Sequence, residues 1–191
     1  TRRARAMTLL ALALPGSIYL YNGEELALPE VLDLPPEARQ DPVFLRTEGR
    51  ELGRDGCRVP LPWTADPATS FGFSVQPGEA PWLPQPADWG RYAADDQDAD
   101  PGSTLNFYRA AIAQRRAFDH FHGDALTWLD TGDGRLLAFA RGPVIVVINV
   151  SADLVALTGA LADAELVLSS GEPVAHGMLP GDTAVWLRPS D

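Results

Sequence analysis

One short run near the start of the chain constrains its fold most. Ser17-Ile18-Tyr19-Leu20-Tyr21 is mostly apolar, with two aromatics and a β-branched residue, and Asn22-Gly23 follows at once. That composition reads as a short buried strand ending in a turn. Ahead of it, residues 1–14 read as a helix. Arg3, Ala4, Arg5, Ala6, Met7, Leu9, Leu10, Leu12 and Ala13 supply the helix formers, and Pro15-Gly16 ends the pattern. Helix, short turn and buried strand make half of an α/β repeat. A parallel strand needs hydrogen-bonding neighbours on both sides. Downstream, no second strand of this type is followed by its own helix in regular alternation. Either the partners of Ser17–Tyr21 lie outside this chain, or the run is not a strand. The chain also opens on Thr1-Arg2-Arg3-Ala4-Arg5, already inside the helical pattern, and part of a longer polypeptide is expected.

Residues 23–100 differ in kind. Proline recurs at 29, 35, 36, 42, 60, 62, 67, 77, 81, 84 and 86, and Trp63, Trp82 and Trp89 lie among these prolines. Connections this long are functional or disordered. Phe44, Phe71, Phe73 and Tyr92 add too many aromatics for a solvated linker. An ordered excursion over 22–100 is expected, with helical turns near 35–38 and 41–46. Asp100-Pro101 then reads as the N-cap and first residue of a helix running to about Phe118, with Leu105, Tyr108, Ala111, Ile112 and Arg115 at helical spacing.

Beyond residue 124 the pattern becomes short apolar runs at 125–129, 136–141, 144–150, 154–157, 165–169 and 183–188. Gly132-Asp133-Gly134, Gly142-Pro143 and Pro180-Gly181-Asp182 are among the turns that separate them. This spacing predicts a small antiparallel sandwich. The expected class is α/β plus all-β, with an α/β portion over 1–123 and a β-sandwich over 124–191.

Composition excludes several functions. The formal net charge is −11, and all 15 basic residues are arginine. Nucleic acid and anionic membrane surfaces need a positive patch, so neither is an expected partner. No apolar run reaches the roughly 18 residues of a membrane span. The first helix is flanked by arginine on one side only and lacks a small-residue cleavage site, so a cytoplasmic setting is expected. A single cysteine, Cys57, rules out an intrachain disulfide framework.

Several residues bear chemistry. Glu24-Glu25 directly follow the expected strand, where α/β barrels build active sites. Two carboxylates can act as acid and base on a glycosidic bond. Adjacent residues rarely converge on one bond from opposite sides, so support of loop amides is the stronger reading. Gly53-Arg54-Asp55-Gly56-Cys57-Arg58-Val59-Pro60-Leu61-Pro62-Trp63 is the densest segment. Its arginines can fork onto hydroxyls or a carboxylate, and Trp63 offers an aromatic face. An arginine–aspartate brace within a rigid loop is the plainer alternative, and the two are compatible. Cys57 has no activating histidine nearby and reads as inert. His120-x-His122 lacks a third ligand at a supporting spacing and reads as a surface pair. Asp95-Asp96-Gln97-Asp98-Ala99-Asp100 lacks the central glycine and distal glutamate of a calcium loop and reads as a solvated acidic run. Gly132-Asp133-Gly134 reads as a hairpin turn. No cofactor or metal is expected.

Gly16-Ser17-Ile18-Tyr19-Leu20-Tyr21-Asn22-Gly23-Glu24-Glu25-Leu26 resembles the eighth barrel strand and following turn of the α-amylase superfamily, glycoside hydrolase family 13. Residues Arg54 to Trp63 are similar to the Arg-Asp-x-x-Arg-x-Pro-x-x-Trp segment of its α-glucosidase and oligo-1,6-glucosidase branch. The resemblance implies the last β/α unit of a (β/α)8 barrel with a long loop, then a C-terminal β-sandwich. It implies an α-glucoside oligosaccharide as substrate, with Arg54 and Asp55 as substrate-binding positions. Arg54 would contact the sugar at the site of cleavage, and Asp55 would be a brace or a subsite contact. Glu24 and Glu25 match a family-wide pair that is not the catalytic pair. The family's aspartate nucleophile, glutamate acid/base and third aspartate lie on earlier strands, so this chain carries no catalytic residue of that set. The chain alone is expected to be inactive and to need a missing N-terminal barrel portion or self-association. A transglycosylating or trehalose-forming member is the nearest alternative, and a non-catalytic carbohydrate-binding module is another. Ala27 stands where the family usually has glycine, Asn22 where glutamine is common, and Ile18 where proline often occurs.

Overall fold

The computed structural model describes residues 1–118, 121, 123–172 and 177–190. His120 and His122 lie outside them. The chain divides into two compact units, one of Thr1–Tyr19 with Phe107–Asp191 and one of Leu20–Asn106.

In the first unit, helix α1 spans Arg2–Ala13 and buries Ala6, Leu9, Leu12 and Ala13 on one stripe. It stops where Leu14 turns extended ahead of Pro15. Its last carbonyls have no intrahelical donor, and two arginines from elsewhere serve them. Arg115 donates to the carbonyls of Leu12, Leu14 and Gly16, and the fully buried Arg141 donates to that of Ala13 at 2.8 Å. Cations at this end also complement the helix dipole. Burial pulls the Arg141 guanidinium below its ordinary value, and Arg115 adds to this.

Among the described residues seven strands follow: β1 (Thr127–Leu129), β2 (Leu136–Arg141), β3 (Val144–Asn149), β4 (Val155–Ala156), β5 (Glu165–Ser169), β6 (Met178–Leu179) and β7 (Thr183–Arg188). Among the described residues they form an antiparallel sheet in the order β1-β2-β3-β7-β5 and a two-stranded β4–β6 ribbon. All of β3 is buried, because both faces of the sheet are covered. Val144, Val146 and Ile148 point to one side, where Leu9 and Leu12 of α1 pack together with Phe107, Tyr108, Ala111 and Trp186. Ile145 and Val147 point to the other, against Leu157 and Leu179. The indole N–H of Trp186 donates to the Leu9 carbonyl at 3.2 Å, so the bulkiest core side chain is also polar-satisfied. The expected antiparallel β tail is present, and its central sheet lies between α1 and the small ribbon.

The second unit is built from short helices: 3₁₀ turns at Glu24–Leu26, Pro36–Ala38, Asp55–Cys57, Pro67–Thr69 and Trp89–Tyr92, with α2 (Pro42–Arg46) and α3 (Ala94–Ala99). Val31, Leu34, Val59, Phe71, Leu83 and Trp89 form its core. So small a core leaves much backbone to be satisfied by side chains. The Trp89 indole and the Gln85 amide both donate to the Pro60 carbonyl, at 2.9 and 3.0 Å. Gln97 binds the carbonyls of Leu26 and Tyr92 and accepts from the Leu105 amide.

The structure departs from the sequence reading at two points. Among the described residues Ser17–Tyr21 joins no sheet and Tyr19 is 91% exposed, so within this chain the run is not buried, which leaves open both partners outside the chain and a run that is no strand. An extended segment with no neighbouring strand has no ladder to form. The second long helix, α4, spans Thr104–Ala117 rather than starting at Asp100. Asp100 instead closes a turn on the Gly102 amide at 2.9 Å, and the Ser103 hydroxyl takes the capping role by accepting from Asn106 at 3.1 Å.

Candidate functional site

The site is a hollow of about 490 Å³ in the Leu20–Asn106 unit, with Tyr21, Glu24, Glu30, Arg54, Cys57 and Trp89 among its lining residues. A buried aspartate organises its wall. Asp41 caps α2 through Oδ1, which accepts from the Val43 amide at 2.8 Å. Its Oδ2 accepts from the Arg54 amide at 3.1 Å and from Arg58 Nη1 at 3.0 Å. The amides of Val43 and Arg54, with Arg58 adding, hold the Asp41 carboxyl below the usual carboxylate range against the opposing effect of burial.

Asp55 is fully buried, and its Oδ2 accepts from the amides of Gln40 and Asp41 at 2.7 and 2.8 Å. Its Oδ1 makes no hydrogen bond and lies 3.6 Å from Arg58. Arg39, also buried, donates to the carbonyls of Leu32, Leu34 and Leu52. These three side chains fix the 53–58 loop from behind. Glycine is required at two points of it. At Gly53, with φ of +67°, a Cβ would lie 2.6 Å from Asp41, and at Gly56 it would lie 2.4 Å from the Val31 carbonyl oxygen.

The two sequence-selected positions part ways here. Asp55 faces inward as a brace. Arg54 is exposed on the rim of the hollow, and among the described residues nothing pairs with its guanidinium. Its backbone is pinned while its five N–H donors remain free. Glu25 accepts from the Gly23 amide at 2.9 Å, a loop-supporting contact, whereas Glu24 is exposed and lines the hollow. Ala27 sits at φ of 57°, in the left-handed region that glycine adopts freely. Cys57 is exposed, and burial with Glu30 beside it pushes its thiol up, which disfavours the nucleophilic thiolate. Asp95 and Asp96 occupy the first turn of α3. Asp41 is the loop-bracing residue that sequence reasoning missed. The dipeptide Asp41-Pro42 signals a helix cap, but nothing local signals its contacts 13 and 17 residues away.

Residues 1–123 match the α-amylase catalytic-domain family. The chain belongs to the α-amylase superfamily, glycoside hydrolase family 13. This family 13 chain is 35% identical over 138 residues to a probable α-glucosidase of Rhizobium meliloti, covering 72% of the chain and 24% of that relative. It is 33% identical over 139 residues to a trehalose synthase/amylase of Mycobacterium tuberculosis, covering 70% of the chain and 20% of the relative. Among solved structures, an α-glucosyl transfer enzyme, XgtA, superposes with a TM-score of 0.77 at 32% identity, covering 99% of this chain and 36% of that one. The chain thus spans about a fifth to a third of the curated relatives it matches.

Proposed function

We propose that this family 13 chain is the C-terminal portion of a retaining α-glucosidase acting on maltose- or isomaltose-like oligosaccharides. In this reading residues 1–123 close a (β/α)8 barrel, with the long loop 22–100 at the substrate entrance, and residues 124–191 are its C-terminal β-sandwich. The observation that carries it is Arg54, whose unpaired guanidinium stands on the rim of a hollow while Asp41 fixes its backbone. Such a group can fork onto sugar hydroxyls without losing an existing partner. Asp55 supports the site by holding the amides of Gln40 and Asp41 rather than by touching sugar. Retaining chemistry needs two carboxyls about 5 Å apart across the scissile bond. The family resemblance puts that pair on earlier strands, so the chain alone is inactive and works with an N-terminal barrel portion or a second copy. Exposed Tyr19, Leu20 and Tyr21 would be covered in that assembly. A cytoplasmic setting belongs to the same reading.

Similarity to a trehalose synthase/amylase and to a glucosyl transfer enzyme favours a second reading, transfer of the glucosyl unit to a sugar instead of water. Product analysis on maltose separates the two: glucose alone marks hydrolysis, and new disaccharides mark transfer. Binding of maltose with neither product would point to a non-catalytic module. In the full-length polypeptide, Arg54→Ala should lower kcat/KM on a chromogenic α-glucoside by more than about tenfold, the loss of at least one charged hydrogen bond. An unchanged kcat/KM removes Arg54 from the site.

A further inference from the structure

Asp41 and Asp55 clamp two segments of the chain together in both directions. Asp41 Oδ2 accepts from the Arg54 amide at 3.1 Å. Asp55, the next residue along, accepts in return from the amides of Asp41 and Gln40 at 2.8 and 2.7 Å. Side chains meet main chain here, where a sheet would use a ladder. Gly53 makes the approach possible, since a Cβ there would stand 2.6 Å from Asp41 Cβ and Cγ. Asp41 Oδ2 also accepts from Arg58 Nη1 at 3.0 Å. One carboxylate oxygen therefore ties the amide ahead of the Asp55–Cys57 turn to the side chain behind it.

Stability alone does not explain this clamp. Both carboxylates are buried, and Asp55 Oδ1 has no hydrogen-bond partner. Apolar side chains would pin such a loop without desolvating two charges. The clamp directs Arg54 into the hollow. That residue is fixed at its amide, its side chain is exposed, and among the described residues nothing pairs with its guanidinium. A long side chain amplifies any rotation at its Cα. A misplacement of about 1 Å is enough to lose much of an oriented contact.

We propose that Asp41 is a positioning residue, which acts on the bound glucosyl unit through Arg54 by fixing where that arginine leaves the loop. The inference rests on the α-glucosidase or glucosyl-transfer reading, in which Arg54 meets the sugar. Asp41 itself touches no sugar, because it is buried and its oxygens are taken by Val43, Arg54 and Arg58. It has a second, separable task. Its Oδ1 caps α2 by accepting from the Val43 amide at 2.8 Å. Serine caps a helix as well as aspartate does, with a single short oxygen. Asp41→Ser therefore keeps the cap and releases Arg54 and Arg58.

The test is a double-variant cycle in the full-length polypeptide on a chromogenic α-glucoside, with each protein assayed well below its own Tm. Asp41→Ser should lower kcat/KM by about fivefold, less than Arg54→Ala does, because the guanidinium is displaced rather than removed. The loss should fall on the same parameter, KM or kcat, as it does in Arg54→Ala. In the Arg54→Ala background, Asp41→Ser should lower kcat/KM by less than about twofold more, since no guanidinium is left to direct. Asp41→Thr carries the same capping oxygen and a methyl group to fill vacated space, and it takes the place of a serine variant that does not fold. Losses that multiply in the double variant, a loss on the other parameter, or an unchanged kcat/KM in Asp41→Ser overturn the positioning role and leave the glucosidase reading standing. An unchanged kcat/KM in Arg54→Ala overturns that reading and this inference with it.

Discussion

Gly53 offers the sharpest test of how the 53–58 loop is held. Gly53→Ala introduces two separable penalties. The first is conformational: at φ of +67° an L-residue is left-handed, which costs about 1–2 kcal/mol. The second is steric: the new Cβ would stand 2.6 Å from Asp41 Cβ and Cγ. Asp41 cannot yield freely, because its carboxylate holds Val43, Arg54 and Arg58. Overpacking of this kind costs about 1–3 kcal/mol. The sum is about 2–5 kcal/mol, which at about 2–4 °C per kcal/mol in a protein of this size gives a Tm lowered by roughly 4–20 °C. Gly78→Ala is the internal control. Gly78 has φ of +81° in the same unit, and no atom lies within 4 Å of where its Cβ would stand. It should show the conformational penalty alone, about 1–2 kcal/mol. Urea unfolding of both variants reads the difference. Equal destabilisation of the two would refute the claim that Asp41 packs against the loop at Gly53.

Ala27→Gly should stabilise the protein by about 0.5 kcal/mol, since relief of a left-handed alanine outweighs the added freedom of the unfolded chain; a destabilised variant in urea unfolding would contradict the turn geometry at φ of 57°. Asp133, whose carboxyl Arg135 lowers to about 2, should contribute stability above the unfolded value near 3.8 and lose it as pH falls through about 2. Arg135→Gln should bring its NMR titration back towards the ordinary carboxylate range, and an unmoved titration would count against the ion pair.

All strands of the β tail but β6 were legible because they are short apolar runs separated by turn residues such as Gly132-Asp133-Gly134, Gly142-Pro143 and Pro180-Gly181-Asp182. The tail's two-sided burial was not. Val144–Asn149 shows no polar alternation, and only the packing of α1 on one face and Leu157 and Leu179 on the other accounts for that. β6, with two residues, is too short to carry a period. The polar links of α1 run to Arg115 of α4 and to Arg141 and Trp186 of the sheet, roughly 100 residues or more from the carbonyls they serve, a separation no local pattern reports. In the loop, proline and aromatic content marked an ordered excursion, and the 3₁₀ and α turns at Pro36–Ala38 and Pro42–Arg46 fall where expected. The N-cap at Asp100 failed because Asp-Pro also opens a turn, and Ser103 stood one residue before the helix. At the site, the Arg54–Trp63 segment stood out by its density of arginine, glycine and tryptophan. The same segment hid the division of labour between Arg54 and Asp55, because burial is set by Gln40 and Asp41, outside the motif.

The central claim is that this chain brings Arg54 to the glucosyl unit of an α-glucoside. A crystal structure of the full-length polypeptide with thio-linked maltotriose tests it directly. The account predicts the Arg54 guanidinium within hydrogen-bonding distance of a hydroxyl of the non-reducing-end glucose, with Asp55 still buried against the amides of Gln40 and Asp41. A bound sugar that leaves Arg54 facing solvent, or is held by another surface of the chain, would contradict it.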